Sequence, residues 1–242
     1  CDFRYVFLGI ETPEDETLAL NKKVQNVGRP VAESVAKILS YGIVCNGGFI
    51  IGFDSDSPRI AENMIGAIRD SGIAMAMVGL LYALPRTQLT RRLEAEGRLF
   101  KQSSESVTDT DVDQMTSGLN FTTLMPRNEI LANYIRVLEM VYNPGEYYQR
   151  IRQTAMQIRP RYRHKPSFLT WMRYLRSFLR VSRAAGFSQA TGLLYWQMFF
   201  TVLFRNPAAI EAAVNLAAMY IHFRKQKDYI VGSTMQVIER KG

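Results

Sequence analysis

The 242-residue chain is 47% apolar and 21% charged with a formal net charge of +8, a balance that excludes a disordered tail and fits a globular protein of one large or two small domains. Two cysteines, Cys1 and Cys45, exclude a disulfide framework and a four-thiolate metal site and fit a reducing, cytoplasmic setting. The charge is unevenly spread. Residues 1–100 hold 11 Lys/Arg against 12 Asp/Glu, whereas 147–210 hold 11 Lys/Arg and no acid, so an acidic partner is expected for the second half only.

The chain opens on Cys1 with a strand-like run directly behind it and no signal-peptide pattern. We therefore expect a fragment of a longer polypeptide. Residues 5–10 read as a strand ending at Glu11-Thr12-Pro13, and residues 14–21 as a helix capped by Thr12 with acids in its first turn. A break at residues 26–29 precedes Pro30, a favourable first helical residue. Val31, Val35, Ile38 and Leu39 then recur at helical spacing.

The next stretch organises the chain: Gly47-Gly48-Phe49-Ile50-Ile51-Gly52-Phe53-Asp54, entered through Ile43-Val44-Cys45 and closed by Ser55-Asp56-Ser57-Pro58. It reads as a buried strand whose glycines let a ligand or another backbone come close. A helix over residues 59–71 ends at Gly72, a third apolar run spans residues 73–84, and Leu89, Leu93 and Leu99 mark a fourth helix. Strands alternating with helices in this way predict an α/β fold with a parallel sheet and right-handed crossovers. Three such units cannot close an eight-stranded barrel but can be half of a six-stranded one, whose open sheet edge needs cover.

Residues 101–126 read as a linker rich in Ser, Thr and Asp, and residues 127–242 as helices over 128–142, 145–158, 168–185, 189–204 and 207–225. The tail 229–239 reads as a strand or a frayed helix. The expected division is thus 1–100 for the α/β part, 101–126 for the linker and 127–242 for a helical domain.

Three pieces, Val6 to Pro13, Gly47 to Asp54 and Met77 to Pro85, together resemble the last three strands of the (β/α)6 partial TIM barrel of radical S-adenosylmethionine enzymes. The likeness is nearest to cobalamin-binding members with a helical C-terminal extension, hopanoid methylases among them. The resemblance implies that Gly48, Ile50 and Gly52 form the fifth-strand motif, with Ile50 against the adenine. It places Glu11 at the ribose or methionine moiety of the cofactor, and the backbone of Leu81 to Leu84 at the adenine. The family pattern ends in an acid three residues after its second glycine. Ser55 stands there in this chain, with Asp54 beside it as a substitute. Relatives carry Gly after the proline where this chain has Arg86. The defining Cys-x-x-x-Cys-x-x-Cys motif for a [4Fe-4S] cluster is absent, so the resemblance implies cluster ligands outside this chain and an inactive fragment. It also implies a small-molecule or lipid substrate, with the missing N-terminal part of the polypeptide as partner.

Plainer readings stand beside these. Gly47, Gly48 and Gly52 also suit close helix–sheet packing, and Asp54 and Asp56 are good turn residues. Cys45 reads as a small buried hydrophobe. His164 and His222 lie far from the strand ends in sequence, and neither a nucleophile elbow nor a phosphate loop is present. In the helix 168–185, Arg173, Arg176, Arg180 and Arg183 share one face, with Trp171, Leu175, Phe178 and Leu179 opposite. That helix either shows solvent an Arg face over an ordinary core or meets an anionic membrane. The second option supports an alternative function as a non-catalytic membrane-associated or adaptor protein. No nucleic-acid motif accompanies the arginines.

Overall fold

The computed structural model describes residues 3–20, 28, 30–100, 118–160 and 167–241. Cys1, Asn21, His164 and the linker positions 101–117 lie outside the described residues. Three parallel strands, β1 (Tyr5–Glu11), β2 (Val44–Ile51) and β3 (Ala76–Leu80), form one sheet in the order β1-β2-β3. Helices α1 (Asp15–Leu20) and α2 (Val31–Ser40) connect the first pair, and α3 (Ile60–Ser71) the second. After β3 the chain is helical: α4 (Gln88–Ala95), α5 (Arg127–Val141), α6 (Pro144–Gln157), α7 (Phe168–Gly186), α8 (Gly192–Arg205) and α9 (Ile210–Lys241). The architecture is therefore α/β, three parallel strands with their helices followed by an all-helical part.

Strand register sorts the sheet into two faces. Paired residues of parallel strands point the same way, so Leu8 and Gly47 share one face with Ala76. Cys45, Phe49, Ile51, Val78 and Leu80 are buried there with Val35 and Leu39 of α2, Met64 and Ile68 of α3 and Tyr134 of α5 in one apolar cluster. The other face, carrying Phe7, Gly9, Gly48, Ile50, Met77 and Gly79, is less covered.

The edge of β3 and the segment that leads into it are closed carbonyl by carbonyl. Tyr134 Oη donates to Val78 O at 3.1 Å and Tyr142 Oη to Ala76 O at 2.9 Å. Arg150 Nε donates to Ile73 O at 2.9 Å, and Thr154 Oγ1 to Gly72 O at 2.7 Å. Unpaired backbone acceptors inside a core are costly, so these four side chains of α5, α6 and the turn between them do the work of a neighbouring strand. At the opposite edge, β1 pairs with β2 alone among the described residues, and a hollow of about 350 Å³ runs beside it between Phe7, Gly9, Leu18, Val35 and Ile38.

Several elements differ from their sequence-based limits. Strand β2 stops at Ile51 rather than at Asp54, because Gly52 takes φ +111° and turns the chain out of the ladder. The apolar run 73–84 yields a strand only over Ala76–Leu80. Helix α4 ends before Gly97 (φ +67°), and Leu99 instead bridges Phe121 in antiparallel fashion. Helix α8 starts at Gly192, after a turn in which Gly192 N–H donates to Ser188 O at 2.7 Å. The tail 229–239 continues α9 without a break, since Ile230, Val231 and Thr234 are buried at helical spacing and this packing outweighs local β propensity.

Candidate functional site

The C-terminal ends of the three strands carry the chemistry-bearing groups. At the end of β1 the register slips between Gly9 and Glu11, and Glu11 adopts φ +70°, a left-handed conformation that disfavours non-glycine residues. Its carboxylate folds back over the bare backbone of Gly9: a Cβ built on Gly9 would stand 3.1 Å from Glu11 Oε1. A strained residue persists only where its surroundings hold it, and such residues gather at functional sites.

Gly48 lies beside Gly9 on the same face. A Cβ at Gly48 would meet Phe7 Cζ at 2.7 Å, so the planar ring of Phe7, itself 55% exposed, rests on the glycine backbone. Ile50 follows on the same face, aligned with Gly79 of β3. Gly47 faces the other way, where a Cβ would press on Phe49, Ile73 and Ile10. The two adjacent glycines thus serve different ends, Gly47 close packing of the buried face and Gly48 a flat strip on the open one.

Beyond β2 the chain is locked by Asp56, whose Oδ2 accepts from Gly52 N–H at 2.7 Å and Phe53 N–H at 3.0 Å. Burial is the main cause pushing its carboxyl up to about 7, with Glu14 and Asp54 adding to it and the two N–H bonds opposing. Its Oδ1 is buried without a hydrogen-bond partner among the described residues. Glu14 ties the neighbouring loop to this turn through Ser57 N at 3.0 Å, Ser57 Oγ at 2.5 Å and Asn63 Nδ2 at 2.9 Å.

Asp54 is engaged in ion pairs. Arg98 Nη2 and Nη1 reach its two oxygens at 2.6 and 2.9 Å, and Arg92 Nη2 adds a third contact at 2.9 Å. The bond to Asp54 holds Arg98 above the usual guanidinium range. At the end of β3, Leu81 donates to Ile51 O at 2.8 Å and accepts from Leu119 N–H at 2.7 Å. Asn120 spans the backbone of Ala83, accepting from its N–H at 2.8 Å and donating to its carbonyl at 3.1 Å. Leu84, 44% exposed, has its carbonyl bound by the hydroxyls of Thr87 and Thr90. Arg86 takes φ +65°, so the turn keeps the left-handed geometry a glycine would adopt.

The structure therefore brings Glu11, Gly48 and Ile50 together on the open face and sets Gly52 at its rim. It commits Asp54 to Arg92 and Arg98, and the backbone of Leu81 and Ala83 to the segment 118–122. Sequence reasoning did not find Arg98, Asn120 or Phe7. Arg98 stands 44 residues from Asp54 and Asn120 37 from Ala83, and no local pattern announces either pairing.

The flat strip suits a planar ring, since an aromatic ring already lies over Gly48, and Glu11 adds a carboxylate able to accept from hydroxyl or ammonium donors. An iron–sulfur cluster fits the described residues poorly. Cys45, 2% exposed, faces the helices, and burial pushes its thiol up to about 11, away from the thiolate a metal needs. No group of three or more His, Cys, Asp or Glu residues able to hold a metal occurs among the described residues. His222 lies on α9 edge-on to Phe223, away from the strand ends.

Fold and site define a parallel α/β sheet with a carboxylate-flanked glycine strip toward its strand ends and helices closing one edge. The pattern of a domain of unknown function, DUF4070, matches residues 87–234, and the chain belongs to that family. It is 30% identical over 231 residues to an uncharacterized methyltransferase of Synechocystis, covering 95% of this chain and 42% of that protein. It is 34% identical over 142 residues to the hopanoid C-2 methylase of Rhodopseudomonas palustris, covering 59% of this chain and 25% of that protein. The chain thus spans less than half the length of either relative. No solved structure matches it.

Proposed function

We propose that the chain is the C-terminal half of a (β/α)6 partial barrel of the radical S-adenosylmethionine type, in a protein that methylates an unactivated carbon of a small-molecule or lipid substrate. The observation that carries this reading is Glu11, held at φ +70° with its carboxylate over Gly9, beside Ile50 and Gly48, whose backbone lies under the half-exposed Phe7 ring. The methyltransferase and methylase names of the two relatives support it. In this reading Gly48 and Ile50 carry the adenine, and Glu11 accepts from the ribose hydroxyls or the methionine ammonium. Gly52 and Asp56 fix the turn that ends the strip. S-adenosylmethionine, when bound, supplies the methyl group or, on reductive cleavage, a carbon radical, so the hard chemistry belongs to the cofactor.

No cluster-binding role falls to this chain, because Cys45 is buried on the wrong face. The reading assigns the [4Fe-4S] cluster, and cobalamin if the protein uses it, to other parts of the polypeptide. The hollow beside β1 is where that remainder would dock and add further strands.

Equilibrium dialysis of labelled S-adenosylmethionine against the full-length protein tests the assignment. Gly48→Val and Glu11→Gln are each expected to weaken binding by about tenfold or more, the loss that one hydrogen bond to a charged group or one blocked contact brings. The fold is expected to survive Gly48→Val, since the Phe7 ring over Gly48 is half exposed and can swing aside, and Glu11→Gln keeps the size of the side chain. Unchanged affinity in both variants, with unchanged circular dichroism, would reject the site.

A further inference from the structure

The helical hairpin α7–α8 shows solvent an apolar surface that nothing in the α/β part uses. On α8, Leu193, Phe200 and Phe204 are 73%, 48% and 80% exposed at a spacing of seven and four residues, opposite the buried Tyr195, Met198 and Val202. Phe187, 79% exposed in the turn, continues the stripe. Its ring meets Trp196 at 6.4 Å, Trp196 stacks on Phe200 at 5.9 Å, and Phe200 stacks on Phe204 at 6.4 Å. An exposed aromatic ladder of this length is costly in water and marks a surface that meets another apolar phase.

Charge decides what that phase is. On α7, Arg173, Arg176, Arg180 and Arg183 are exposed and make no ion pair with described residues, while Leu169 and Leu179 beside them are 71% and 57% exposed. Of the four side chains opposite the arginines, Leu175 and Phe178 are half-buried, whereas Trp171 is 50% exposed and Leu179 lies open to solvent. No acidic residue occurs between 147 and 210. A second copy would bring arginines against arginines, and a neutral protein surface would leave them unanswered. Exposed leucines and aromatics interleaved with arginines that make no ion pair among the described residues suit a helix lying in the interface of an anionic bilayer. No helix among the described residues is long and apolar enough to cross one.

We infer that the α7–α8 hairpin docks the protein peripherally on anionic lipid, with the Phe187–Phe204 ladder in the headgroup and acyl boundary and the α7 arginines on the lipid phosphates. The surface is separate from the strand-end site, so the inference stands or falls independently of the cofactor reading.

Flotation of the full chain with vesicles tests it, using phosphatidylcholine alone and an equimolar mixture of phosphatidylcholine and phosphatidylglycerol. Binding is expected on the mixed vesicles and should weaken as salt is raised. The double variant Arg176→Glu/Arg180→Glu should lose at least about twenty-five-fold, about fivefold for each charge removed. Phe200→Ser/Phe204→Ser should lose binding to the mixed vesicles at every salt concentration. All four side chains are exposed, so circular dichroism should be unchanged and binding loss is not misfolding. Failure to float with the mixed vesicles at low salt would overturn the inference, as would equal binding by the arginine variant. A dimer in sedimentation that Phe200→Ser/Phe204→Ser abolishes would assign the ladder to a second copy and overturn it too.

Discussion

Arg150 offers the sharpest test of how the α6 helix closes the sheet. It is 2% exposed, yet its hydrogen-bond acceptors are all main-chain carbonyls: Ile73 at 2.9 Å, Ala74 at 3.4 Å and Val141. Burial is the chief cause lowering its guanidinium to about 10, and the ring of Tyr147 lies 5.5 Å from its central carbon. Replacing Arg150 with Met keeps the volume and removes the charge. The gain is relief of desolvation, about 3 kcal/mol from the depressed acidity constant. Against it stand three carbonyls left inside the core, each worth about 2 kcal/mol when bound to a charged donor. The carbonyls outweigh the desolvation, and Arg150→Met should destabilise the fold by about 3 kcal/mol. Urea denaturation followed by circular dichroism measures this directly. A midpoint unchanged or raised would show that desolvation dominates and that water replaces the guanidinium, which would refute the edge-closing account. Tyr142→Phe, removing one neutral donor from Ala76 O, should cost only about 1 kcal/mol in the same assay.

Two further outcomes concern the turn after β2. Asp56 holds its proton to about pH 7 when folded, against an unfolded value near 3.8, so folding takes up a proton between these limits. The stabilisation from this group is full below about pH 4 and is lost as pH rises through 7, a swing of about 2–4 kcal/mol. Denaturation at pH 4.5 and pH 8 should show that swing in the parent and a flatter profile in Asp56→Asn; identical slopes would remove Asp56 as the cause. Gly52→Ala should lose about 2–4 kcal/mol, because φ is +111° and the new Cβ would lie 2.6 Å from Cδ2 of the fully buried Leu119. A loss under about 0.5 kcal/mol would mean that the turn relaxes.

That last result bears on how the site is probed. Gly52 is a folding position as much as a binding one, so loss of cofactor binding on changing it would be ambiguous, whereas Gly48 lies under a movable ring. Segment 118–122 acts in the same way from the other side. Arg127 holds Leu119 O at 2.6 Å, and Leu119 and Asn120 in turn hold Leu81 and Ala83.

The α/β class, the three parallel strands and most helix limits were legible in the sequence because they rest on local signals. Gly72 ends α3 with φ +70°, Pro30 precedes α2, and β-branched runs bounded by glycine mark the strands. The strand-end position of Glu11, Gly48, Ile50 and Gly52 was legible for the same reason, since each sits within one short motif. What the sequence left open was which face each residue serves. Gly47 and Gly48 are neighbours of identical type, and only the pleat and the helices on one side give one to packing and the other to the open strip. Closure of the β3 edge was equally hidden. Tyr134, Tyr142, Arg150 and Thr154 read locally as ordinary members of amphipathic helices, and their task appears only where folding brings them 56 to 82 residues back along the chain. Local chemistry decides the elements. Which backbone acceptors lack a strand partner, and hence which side chains must supply one, is decided by tertiary packing alone, because that demand arises between elements and not within them.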